Sequence, residues 1–377
     1  MKVRLGNYIK EYSKKNKADE DIPVYSVTNT QGFCRDYFGK EVASKDKTTY
    51  KIVPQGCFAY NPSRINVGSV DWQRDEERVI VSPLYNVFSV SEELDQEYLY
   101  YYLKSDFALQ RIRAVATGSV RDNLKLEMLK EFPILLPPKN DQKTIANNLD
   151  RVKRVIELRK SEIDKMDDLI KARFVEMFGN EKEFLAKAQN KVSDICKSRV
   201  GIVIQPTQYY TDEPNGVRAF RSLNVKPFYI NDSDWVYFSE SDNDQLCRTQ
   251  VRAGDVAVVR TGANLGDCCV IPKKYDGCNA IDILLLTCND DILPMYLVAF
   301  INYPVGKLQI INVQRGGAIK HLNLKQLENS RIYVPEMELQ QQFVNFVHQV
   351  NKSKVAVQKA LEKTQLLFDS LMQQYFG

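Results

Sequence analysis

Histidine is scarce in this sequence, and its cysteines lack the spacing that binds metal. The 377 residues include only two histidines, His321 and His348, and none of the eight cysteines stands in a C-x-x-C pair. Zinc sites and thiol redox motifs usually carry such pairs, so we expect no metal site and free thiols in a reducing compartment. The glycine-rich phosphate loops and the G-x-S-x-G nucleophile turn are also missing. The sequence therefore predicts a chain with no catalytic residues and no cofactor of its own.

Long apolar runs and a strong charge of one sign are missing as well. No run reaches the roughly 18 to 20 apolar residues that a membrane helix needs, and the first residues, MKVRLGNYIKEYSKKNK, lack the apolar core of a signal peptide. We therefore expect a cytoplasmic protein with no membrane partner. The net charge of +4 is small for an autonomous DNA-binding protein, which usually has a concentrated basic face. A protein that shares its phosphate contacts with a partner needs fewer basic residues.

The chain does contain a long internal repeat. Thr117 to Gly179 aligns without a gap on Arg315 to Gly377 when 198 is added to each number, and the same offset places VPQGCFAYNP (53–62) on VRAGDVAVVR (251–260). This spacing is far beyond the roughly 20 to 50 residues of solenoid repeats, so it predicts two large half-molecules. The identical positions include Gly118/Gly316, Leu124/Leu322, Leu126/Leu324, Leu129/Leu327, Ile134/Ile332, Pro137/Pro335, Gln142/Gln340, Val152/Val350, Phe178/Phe376 and Gly179/Gly377.

Short strand patterns and one longer helical pattern fill the first half. Runs such as Lys51-Ile52-Val53 are rich in β-branched or aromatic residues and are bounded by turn-forming residues. Between Glu92 and Arg113, apolar residues recur at helical intervals, which predicts one or two helices packed on a sheet. We therefore expect an α+β fold with two similar globular domains in tandem. The predicted segments are a first globular domain (1–138), a first long helix (139–179), a linker (180–190), a second globular domain (191–336) and a second long helix (337–377).

Segments 139–178 and 337–376 contain neither proline nor glycine. Their apolar residues step by three or four, which predicts two helices of roughly 60 Å that pair as an antiparallel coiled coil. Arg159 and Arg173 interrupt one apolar seam, and Lys354 and Thr364 interrupt the other at non-equivalent positions. The two copies have therefore diverged in a way that suits pairing with each other. The predicted seam residues are Ile145, Leu149, Val152, Ile156, Ile163, Met166, Ile170 and Met177 in the first helix, and Phe343, Val347, Val350, Val357, Leu361, Phe368, Leu371 and Tyr375 in the second.

Two loops after equivalent strand patterns combine an arginine with amides, hydroxyls and glycines. They are YNPSRINVGS (60–69) and VRTGANLGD (259–267). In the major groove of DNA, arginine binds guanine and asparagine binds adenine through paired hydrogen bonds. Hydroxyl and backbone N–H groups suit phosphate contacts. The alternative for either loop is a solvated turn with a surface arginine. The candidate DNA contacts are Tyr60, Asn61, Ser63, Arg64, Asn66 and Ser69 in the first loop, and Arg260, Thr261 and Asn264 in the second.

The loops 117–123 and 315–321 place basic residues beside glycines. Glycine permits a tight turn and a close approach of the backbone to a ligand. These loops either hold DNA phosphates or only shape the entry to the long helix, and the sequence leaves both interpretations open. The candidate contacts here are Ser119, Arg121, Arg315 and Lys320.

Together these features resemble the specificity subunit of type I restriction-modification systems. One departure is that Asp141 and Leu339 stand where family members commonly have glutamate before the glutamine that opens the long helix. The resemblance covers essentially the whole chain. It rests on the tandem halves, the Tyr60-Asn61-Pro62-Ser63-Arg64 loop, GDVAVVRTGANLG (254–266), the Gly-x-x-x-x-x-Leu-x-Leu stretches (118–126 and 316–324), and the proline turn before Gln142 or Gln340.

The resemblance implies a non-catalytic reader of double-stranded DNA with a pseudo-twofold internal repeat. Each half would be a target-recognition domain for one half of a bipartite, asymmetric site, and the helices would set the spacing. Two methyltransferase subunits that methylate adenine would dock on the helices, and motor-nuclease subunits would add restriction. S-adenosylmethionine, ATP and Mg would then belong to those partner subunits. The alternative is a DNA-binding regulator or scaffold that acts without a methyltransferase.

Overall fold

The structure is a computed structural model that describes residues 2–35, 46–115, 123–212, 216–311 and 321–377. The chain divides into two compact units, which are Met1–Ser161 with Gln358–Gly377 (unit 1) and Glu162–Val357 (unit 2). Each unit therefore contains a globular part and a portion of both long helices. Because the units divide within these helices, the domain boundaries drawn from the sequence stay a prediction. No helix among the described residues is long and apolar enough to cross a membrane.

Unit 1 combines short strands with short helices. The helical pattern of residues 92–113 forms two helices that separate at Ser105, whose hydroxyl accepts a hydrogen bond from the N–H of Ala108 (3.2 Å) and so caps the second helix. The strands are β1 Lys2–Arg4, β2 Ile9–Glu11, β3 Ser26–Thr28, β4 Gly32–Cys34, β5 Lys51–Pro54, β6 Phe58–Tyr60, β7 Val70–Trp72, β8 Arg78–Val81, β9 Asn86–Val90 and β10 Pro133–Leu135. The helices are α1 Gln96–Lys104, α2 Asp106–Val115, α3 Leu126–Lys130 and the long α4 Lys139–Phe178.

The central sheet of unit 1 has the strand order β2-β9-β6-β7 and is antiparallel throughout. Successive residues of β6 face two different cores. Phe58 and Tyr60 pack with Phe88 and with residues of α1 to α3, whereas Ala59 packs with Val87 on the opposite face. The rings of Phe58 and Phe88 stack with centroids 5.1 Å apart. Because both faces are buried, a shift of one residue in register would send these aromatic side chains into the wrong core.

Unit 2 is assembled from the same kinds of element. Its strands are β11 Asn190–Lys191, β12 Cys196–Val200, β13 Val217–Phe220, β14 Val225–Lys226, β15 Tyr229–Ile230, β16 Val236–Phe238, β17 Val256–Val259, β18 Cys268–Val270, β19 Asn279–Ala280, β20 Ile283–Cys288 and β21 Arg331–Ile332. Its helices are α5 Glu181–Lys187, α6 Val192–Ile195, α7 Glu240–Gln245, α8 Pro294–Asn302, α9 Pro304–Ile311, α10 Leu324–Glu328 and the long α11 Met337–Phe376.

The central sheet of unit 2 repeats that of unit 1. Its order is β12-β20-β17-β18, and every pair is antiparallel. Phe58 pairs with Phe88 in unit 1, and Val256 pairs with Leu286 in unit 2. Each residue of the second pair lies 198 positions after its counterpart in the first. The partners of β6 in β7 and of β17 in β18 are related by the same offset. The internal repeat predicted from the sequence is therefore confirmed down to the register of β6, β7 and β9.

A buried glutamine joins each globular part to the start of its long helix. The side-chain oxygen of Gln142 accepts a hydrogen bond from the N–H of Asp95 (2.8 Å), and its amide nitrogen donates to the carbonyl groups of Glu93 (3.0 Å) and Pro137 (2.9 Å). Gln340 makes the same three hydrogen bonds to the residues 198 positions later, at 2.8, 2.9 and 2.8 Å. Both glutamines are buried. Each one fixes the entry angle of a long helix with all of its hydrogen-bonding groups satisfied.

In unit 1 the first part of α4 packs antiparallel on the last part of α11. Arg159 donates hydrogen bonds to the carbonyl of Ala360 and to the hydroxyl of Thr364. Nearer the start of α4, Leu149 shares a core with Phe376 at the end of α11. Residue numbers therefore rise along one helix as they fall along the other. The arginine predicted as an interruption of one seam lies against the threonine predicted as an interruption of the other.

Unit 2 shows the same antiparallel packing in the remaining parts of the two helices. Lys354 of α11 donates two hydrogen bonds of 2.6 Å to the carboxylate of Asp167 of α4. Further along α4, the rings of Phe174 and Phe178 each lie 5.5 Å from the ring of Phe343 near the start of α11. The predicted α+β fold, with two similar halves and long helices that pair antiparallel, is therefore confirmed.

The predicted seam was wrong in detail near the end of α4. It omitted Phe174, which is 2% exposed, and included Met177, which is only partly buried. Phe174 and Phe178 are four residues apart and fill the core of unit 2 with aromatic rings. Arg173, predicted as an interruption, pairs within its own helix with Glu176 at 2.9 Å. A heptad pattern therefore gave the right pairing but not the point at which the helix enters a globular core.

Replacing Gln340 by leucine should destabilise the protein. Leucine fills a similar volume but leaves one N–H and two carbonyl groups without partners, and each buried unsatisfied group costs about 1 to 3 kcal/mol. Urea unfolding followed by circular dichroism should give a clearly lower midpoint than in the wild type. Gln342→Leu, at an exposed position of the same helix, is the matched control. Equal midpoints for the two variants would contradict the role given to Gln340.

Candidate nucleic-acid interface

The first candidate loop, residues 61–69, connects β6 to β7 at one end of the central sheet of unit 1. The side-chain oxygen of Asn61 accepts a hydrogen bond from the N–H of Ser63 (3.0 Å), and its carbonyl accepts one from the N–H of Arg64 (3.0 Å). A single 3-10 turn follows over Ile65–Val67, and Gly68 ends it with a φ of +86°. Asparagine in the first position and glycine in the left-handed position are what such a turn requires. The loop therefore has a defined shape of its own.

Two basic side chains from neighbouring helices hold the far side of this loop. Arg113 of α2 donates to the carbonyl of Asn66 (3.3 Å), and Lys104 of α1 donates to the carbonyls of Gly68 and Asn29, the latter at 3.2 Å. Burial lowers the pKa of Lys104 to about 8. Neither residue could be identified from the sequence, because their contacts with the loop depend on how the helices pack.

Arg64 is the exposed cation of the first loop. Its side chain makes no hydrogen bond or ion pair with any residue that the structure describes. Three further candidates, Asn61, Ser63 and Asn66, are partly exposed around it. The loop thus presents an unpaired guanidinium beside two amides and a hydroxyl, which are groups that can donate to base edges or phosphates.

Tyr60 and Ser69, also candidates from the sequence, do not offer their side chains to a ligand. Tyr60 is fully buried, and its hydroxyl donates to the carbonyl of Leu124 at 3.0 Å. Burial raises the pKa of its phenol well above the usual range. Ser69 is 3% exposed, and its carbonyl accepts a hydrogen bond from the N–H of Asn61 at the base of the loop. The core therefore extends into the first and last residues of the loop and covers both side chains, and a role for either residue in DNA binding stays a prediction.

The second candidate loop, residues 260–267, connects β17 to β18 at the equivalent end of the sheet in unit 2. Arg260 donates to the carboxylate of Asp282 at 2.6 Å, and the hydroxyl of Thr261 donates to the other carboxylate oxygen at 3.1 Å. Asp282 has a φ of +45°, which is unusual for a residue with a side chain. The Nε atom of Arg260 is buried without a partner among the described residues. The guanidinium is therefore oriented by the chain itself, with part of its hydrogen-bonding capacity unused.

The arginines of the two loops do not occupy equivalent positions. In unit 1 the carbonyl of Pro62 accepts a hydrogen bond from the N–H of Leu124 at 3.1 Å. In unit 2 the carbonyl of Arg260 accepts the equivalent bond from the N–H of Leu322 at 2.7 Å. Arg260 is therefore the counterpart of Pro62, and the counterpart of Arg64 is a glycine. The loops share a backbone frame but present their guanidinium groups from different places.

Other parts of the two loops do coincide. Asn66 and Asn264 are equivalent, and the side chain of Asn264 is exposed. Gly68 and Gly266 are also equivalent, and both adopt the left-handed conformation, with φ of +86° and +78°. The closing turn of each loop therefore depends on a glycine at the same position.

The segments that follow the two glycine-containing loops lie against the candidate loops. The hydroxyl of Ser63 donates to the side-chain oxygen of Asn123 at 2.7 Å, and Thr261 forms an isolated β-bridge with His321 at the equivalent positions. Both contacts place the end of a glycine-containing loop next to a candidate loop. The remaining candidates lie outside the described residues and stay predictions, namely Ser119, Arg121, Arg315 and Lys320.

A groove of about 450 Å³ lies beside the second loop in unit 2. Its polar lining comes from a guanidinium, an imidazole and two amides, and these groups suit hydrogen bonds to nucleic acid better than an apolar ligand. Asp282, which orients the guanidinium, was not predicted, because nothing in the sequence links it to a loop about twenty residues earlier. The groove is lined by Val200, Arg260, His321, Leu322, Asn323, Leu324 and Gln326.

Comparisons with known proteins identify the family. The sequence model described as "Type I restriction modification DNA specificity domain" matches residues 3–166 and again residues 203–366. The chain is 20% identical to the specificity subunit of the type I restriction enzyme EcoKI from Escherichia coli (strain K12) over 395 aligned residues. This alignment covers 98% of the chain and 84% of the relative.

Two solved structures share the fold over the whole chain. One comes from work on complex assembly and conformational transition of the type I R-M system, with a TM-score of 0.61, 17% identity, and coverage of 100% of this chain and 97% of that chain. The other is the S subunit of a type I restriction-modification system from M. genitalium, with a TM-score of 0.56, 16% identity, and coverage of 100% and 96%. At such low identity these likenesses support the fold and not individual contacts.

The family match occupies more than half of the chain and occurs once in each half, as the internal repeat requires. The resemblance read from the sequence is therefore confirmed. Specificity subunits of this kind are non-catalytic components of type I restriction-modification enzymes. The chain belongs to the type I restriction-modification specificity family and is a specificity subunit with two DNA-recognition domains in tandem.

Proposed function

We propose that each unit reads one half of a bipartite, asymmetric site in double-stranded DNA through the loop at the end of its central sheet. The observation that carries this proposal is that loops 61–69 and 260–267 leave equivalent strands yet present different side chains. The side chain of Arg64 has no partner among the described residues in one loop, whereas Arg260 is held by Asp282 in the other. Identical loops would read the same bases twice. These loops place donors at different positions, so the two half-sites differ.

The proposal gives the remaining candidates separate tasks. Guanidinium and amide groups recognise base edges, so Arg64, Arg260 and the asparagines of both loops contribute specificity. The hydroxyls of Ser63 and Thr261 suit phosphates, which fix the position of the protein but carry no sequence information. The buried Tyr60 shapes the first loop from beneath and does not contact DNA in this proposal.

The long helices set the distance between the half-sites in this proposal. Support comes from the way in which they are held. Gln142 and Gln340 fix the starts of the helices to the globular parts, and Arg159 and Lys354 each hold the opposite helix through polar contacts within one unit. A helix that is fixed at its start and along its side transmits a constant length of about 1.5 Å per residue.

The proposal also assigns the chemistry to partner subunits. Two methyltransferase subunits dock on the long helices and methylate adenine, and motor-nuclease subunits carry out restriction. S-adenosylmethionine, ATP and Mg bind those subunits and not this chain. Four leucines on the long helices offer apolar area for this docking, since burial of apolar surface favours association. They are Leu158, Leu169, Leu366 and Leu367, and each is at least half exposed.

Methylome sequencing of a host with and without the gene, in the presence of its methyltransferase, tests the proposal as a whole. A bipartite adenine motif with unlike halves should disappear when the gene is deleted. Purification of the tagged chain should recover two methyltransferase copies for each specificity subunit. A regulator that acts without a methyltransferase would leave the methylome unchanged and recover none.

Arg64→Ala and Arg260→Ala should each relax a different half of the motif. Loss of a bidentate contact to a base costs about 1 to 3 kcal/mol of discrimination. Methylome sequencing of strains that carry each variant would show which half becomes degenerate. Arg4→Ala removes an exposed arginine that pairs with Glu131, the residue directly after α3, and should leave both halves intact. The loop assignment is wrong if neither variant changes the motif or if both change the same half.

Lengthening both long helices by one heptad should lengthen the spacer and leave both half-sites unchanged. Insertion after Ser161 and after Val357 places the new residues at the boundary between the two units. One heptad adds about 10 Å of helix, which corresponds to roughly 3 base pairs. The control is an insertion in one helix alone, which shifts the register of the pair and should abolish methylation. An unchanged spacer in the doubly lengthened protein would remove the helices from this role.

A further inference from the structure

The segment that follows strand β2 in unit 1 carries three lysines whose ammonium groups have no partner among the described residues. Lys14, Lys15 and Lys17 are all exposed. We propose that they form a phosphate-binding edge that anchors DNA beside the half-site read by loop 61–69. This inference rests on the proposed function, because it assumes that unit 1 binds duplex DNA through that loop. It assigns residues outside both candidate loops to the backbone of the DNA.

The lysines sit on a backbone that is held in place. Between them, Asn16 is buried, and its side chain bonds both the N–H and the carbonyl of Glu20, at 3.1 and 2.9 Å. The carbonyl of Lys14 accepts a hydrogen bond from the N–H of Ile52 at 2.9 Å, and Lys15 forms a β-bridge with Lys51. The ammonium groups therefore project from a fixed edge of unit 1, so that little backbone freedom would be lost when they bind a ligand.

The position of the segment follows from the strand register. Tyr60, the last residue of β6, pairs with Asn86 at the start of β9. On the other side of β9, the N–H of Tyr12 bonds the carbonyl of Val87 at 2.9 Å. Strands β2 and β6 thus finish at the same end of the sheet. The lysine segment and loop 61–69 both leave from that end.

The acidic residues that follow the three lysines form no ion pair with them in the part of the chain that the structure describes. Glu20 lies in the same groove but pairs with Arg78 at 2.7 Å. Asp19 lies within the turn that Asn16 closes, where its N–H donates to the carbonyl of Asn16 at 3.0 Å, and Asp21 follows the turn. None of the three lysines has an ion-pair partner among the described residues. Lysine presents a compact, hydrated charge on a flexible stem, which suits a phosphate rather than the edge of a base.

A groove of about 590 Å³ accompanies this edge. Such an open, lysine-lined groove suits a continuous polyanion such as a DNA strand, whose phosphates recur along its length. It suits an apolar small molecule poorly, because such ligands prefer enclosed apolar pockets. The groove is lined by Ser13, Lys14, Lys15, Asn16, Lys17, Ala18, Glu20 and Ile52.

Unit 2 has no such edge at the equivalent place. The pairing of Ile9 with Val90 in unit 1 corresponds to that of Cys196 with Cys288 in unit 2, so the segment after β12 begins near Gly201. It reads Gly-Ile-Val-Ile over residues 201–204 and contains no lysine. The proposed anchor is therefore asymmetric and belongs to one half-site only.

The test measures the salt dependence of DNA binding by the complete complex, formed by the chain with its methyltransferase subunits. The probe is a fluorescent duplex that carries the motif found in the methylome, and anisotropy titrations are made at several KCl concentrations. Each phosphate contact contributes about 0.9 to the slope of log affinity against log salt, so replacing Lys14, Lys15 and Lys17 together by glutamine should reduce the slope by roughly 2 to 3. The methylated motif should stay the same, because phosphate contacts carry no sequence information.

Two matched variants separate a phosphate contact from other effects. The triple Lys→Arg variant keeps the charge and should keep the slope. A charge-matched triple variant, Lys182→Gln with Lys187→Gln and Lys191→Gln, changes exposed lysines that precede the central sheet of unit 2 and should also keep it. Phosphate ethylation interference should lose its signals beside the half-site that Arg64→Ala relaxes, and not beside the other.

The possible failures are distinguishable. An unchanged slope in the Lys→Gln variant, an equal loss in the charge-matched control, or lost signals at the opposite half-site would each overturn the phosphate edge while the proposed function stands. A wild-type complex that shows no preference for any bipartite duplex would instead overturn the proposed function. Circular dichroism of the Lys→Gln variant should match the wild type, because the three side chains are exposed.

Discussion

Burial of both faces of the central sheets is the constraint on which the rest of the structure depends. Every residue of β6 and of β17 is buried, so neither strand can slip without moving large side chains between cores. The start of each candidate loop is thereby fixed. In unit 1 the hydroxyl of Tyr60 strengthens this arrangement through its bond to Leu124, which also brings the end of the glycine-containing loop to the same place. The backbone frame of each loop is set by the core and not by the loop itself.

Gln142 and Gln340 fix the starts of the long helices to the globular parts. The contacts through which the two helices pair are not symmetric. Arg159 finds the hydroxyl of Thr364 on the opposite helix, whereas the residue equivalent to Thr364 in α4 is Met166. Lys354 likewise pairs with the carboxylate of Asp167 on α4, whereas the residue equivalent to Asp167 in α11 is Gln365. Polar groups within a helical seam commonly specify which helices pair and in what register. Unlike helices are therefore favoured over two copies of the same helix, and the internal repeat is kept within one chain.

Much of this architecture could be predicted from the sequence, because duplication and periodicity are properties of the sequence itself. The offset of 198 and the long helices needed no knowledge of contacts. The candidate site was harder. Two of its contacts join residues that are distant in the chain, namely the ion pair of Arg260 with Asp282 and the hydrogen bond of Lys104 to the carbonyl of Gly68. Tyr60 belongs to the core although a loop begins directly after it. The burial of Phe174 was missed for a related reason. A helical period does not show where a helix begins to pack on a globular core as well as on its partner helix.

The distribution of differences between the halves explains how one frame serves two recognition tasks. Closing glycines and helix-anchoring glutamines are retained, because each satisfies a backbone requirement that no other residue type meets as well. Differences are large where side chains leave the core, as at Arg64, whose counterpart is glycine, and at Lys17, whose counterpart region is apolar. In the two proposals these exposed positions act separately, since base contacts lie on the loop after β6 and additional phosphate contacts lie on the segment after β2. Substitution at one set changes specificity and at the other affinity, while the buried frame that positions both is undisturbed.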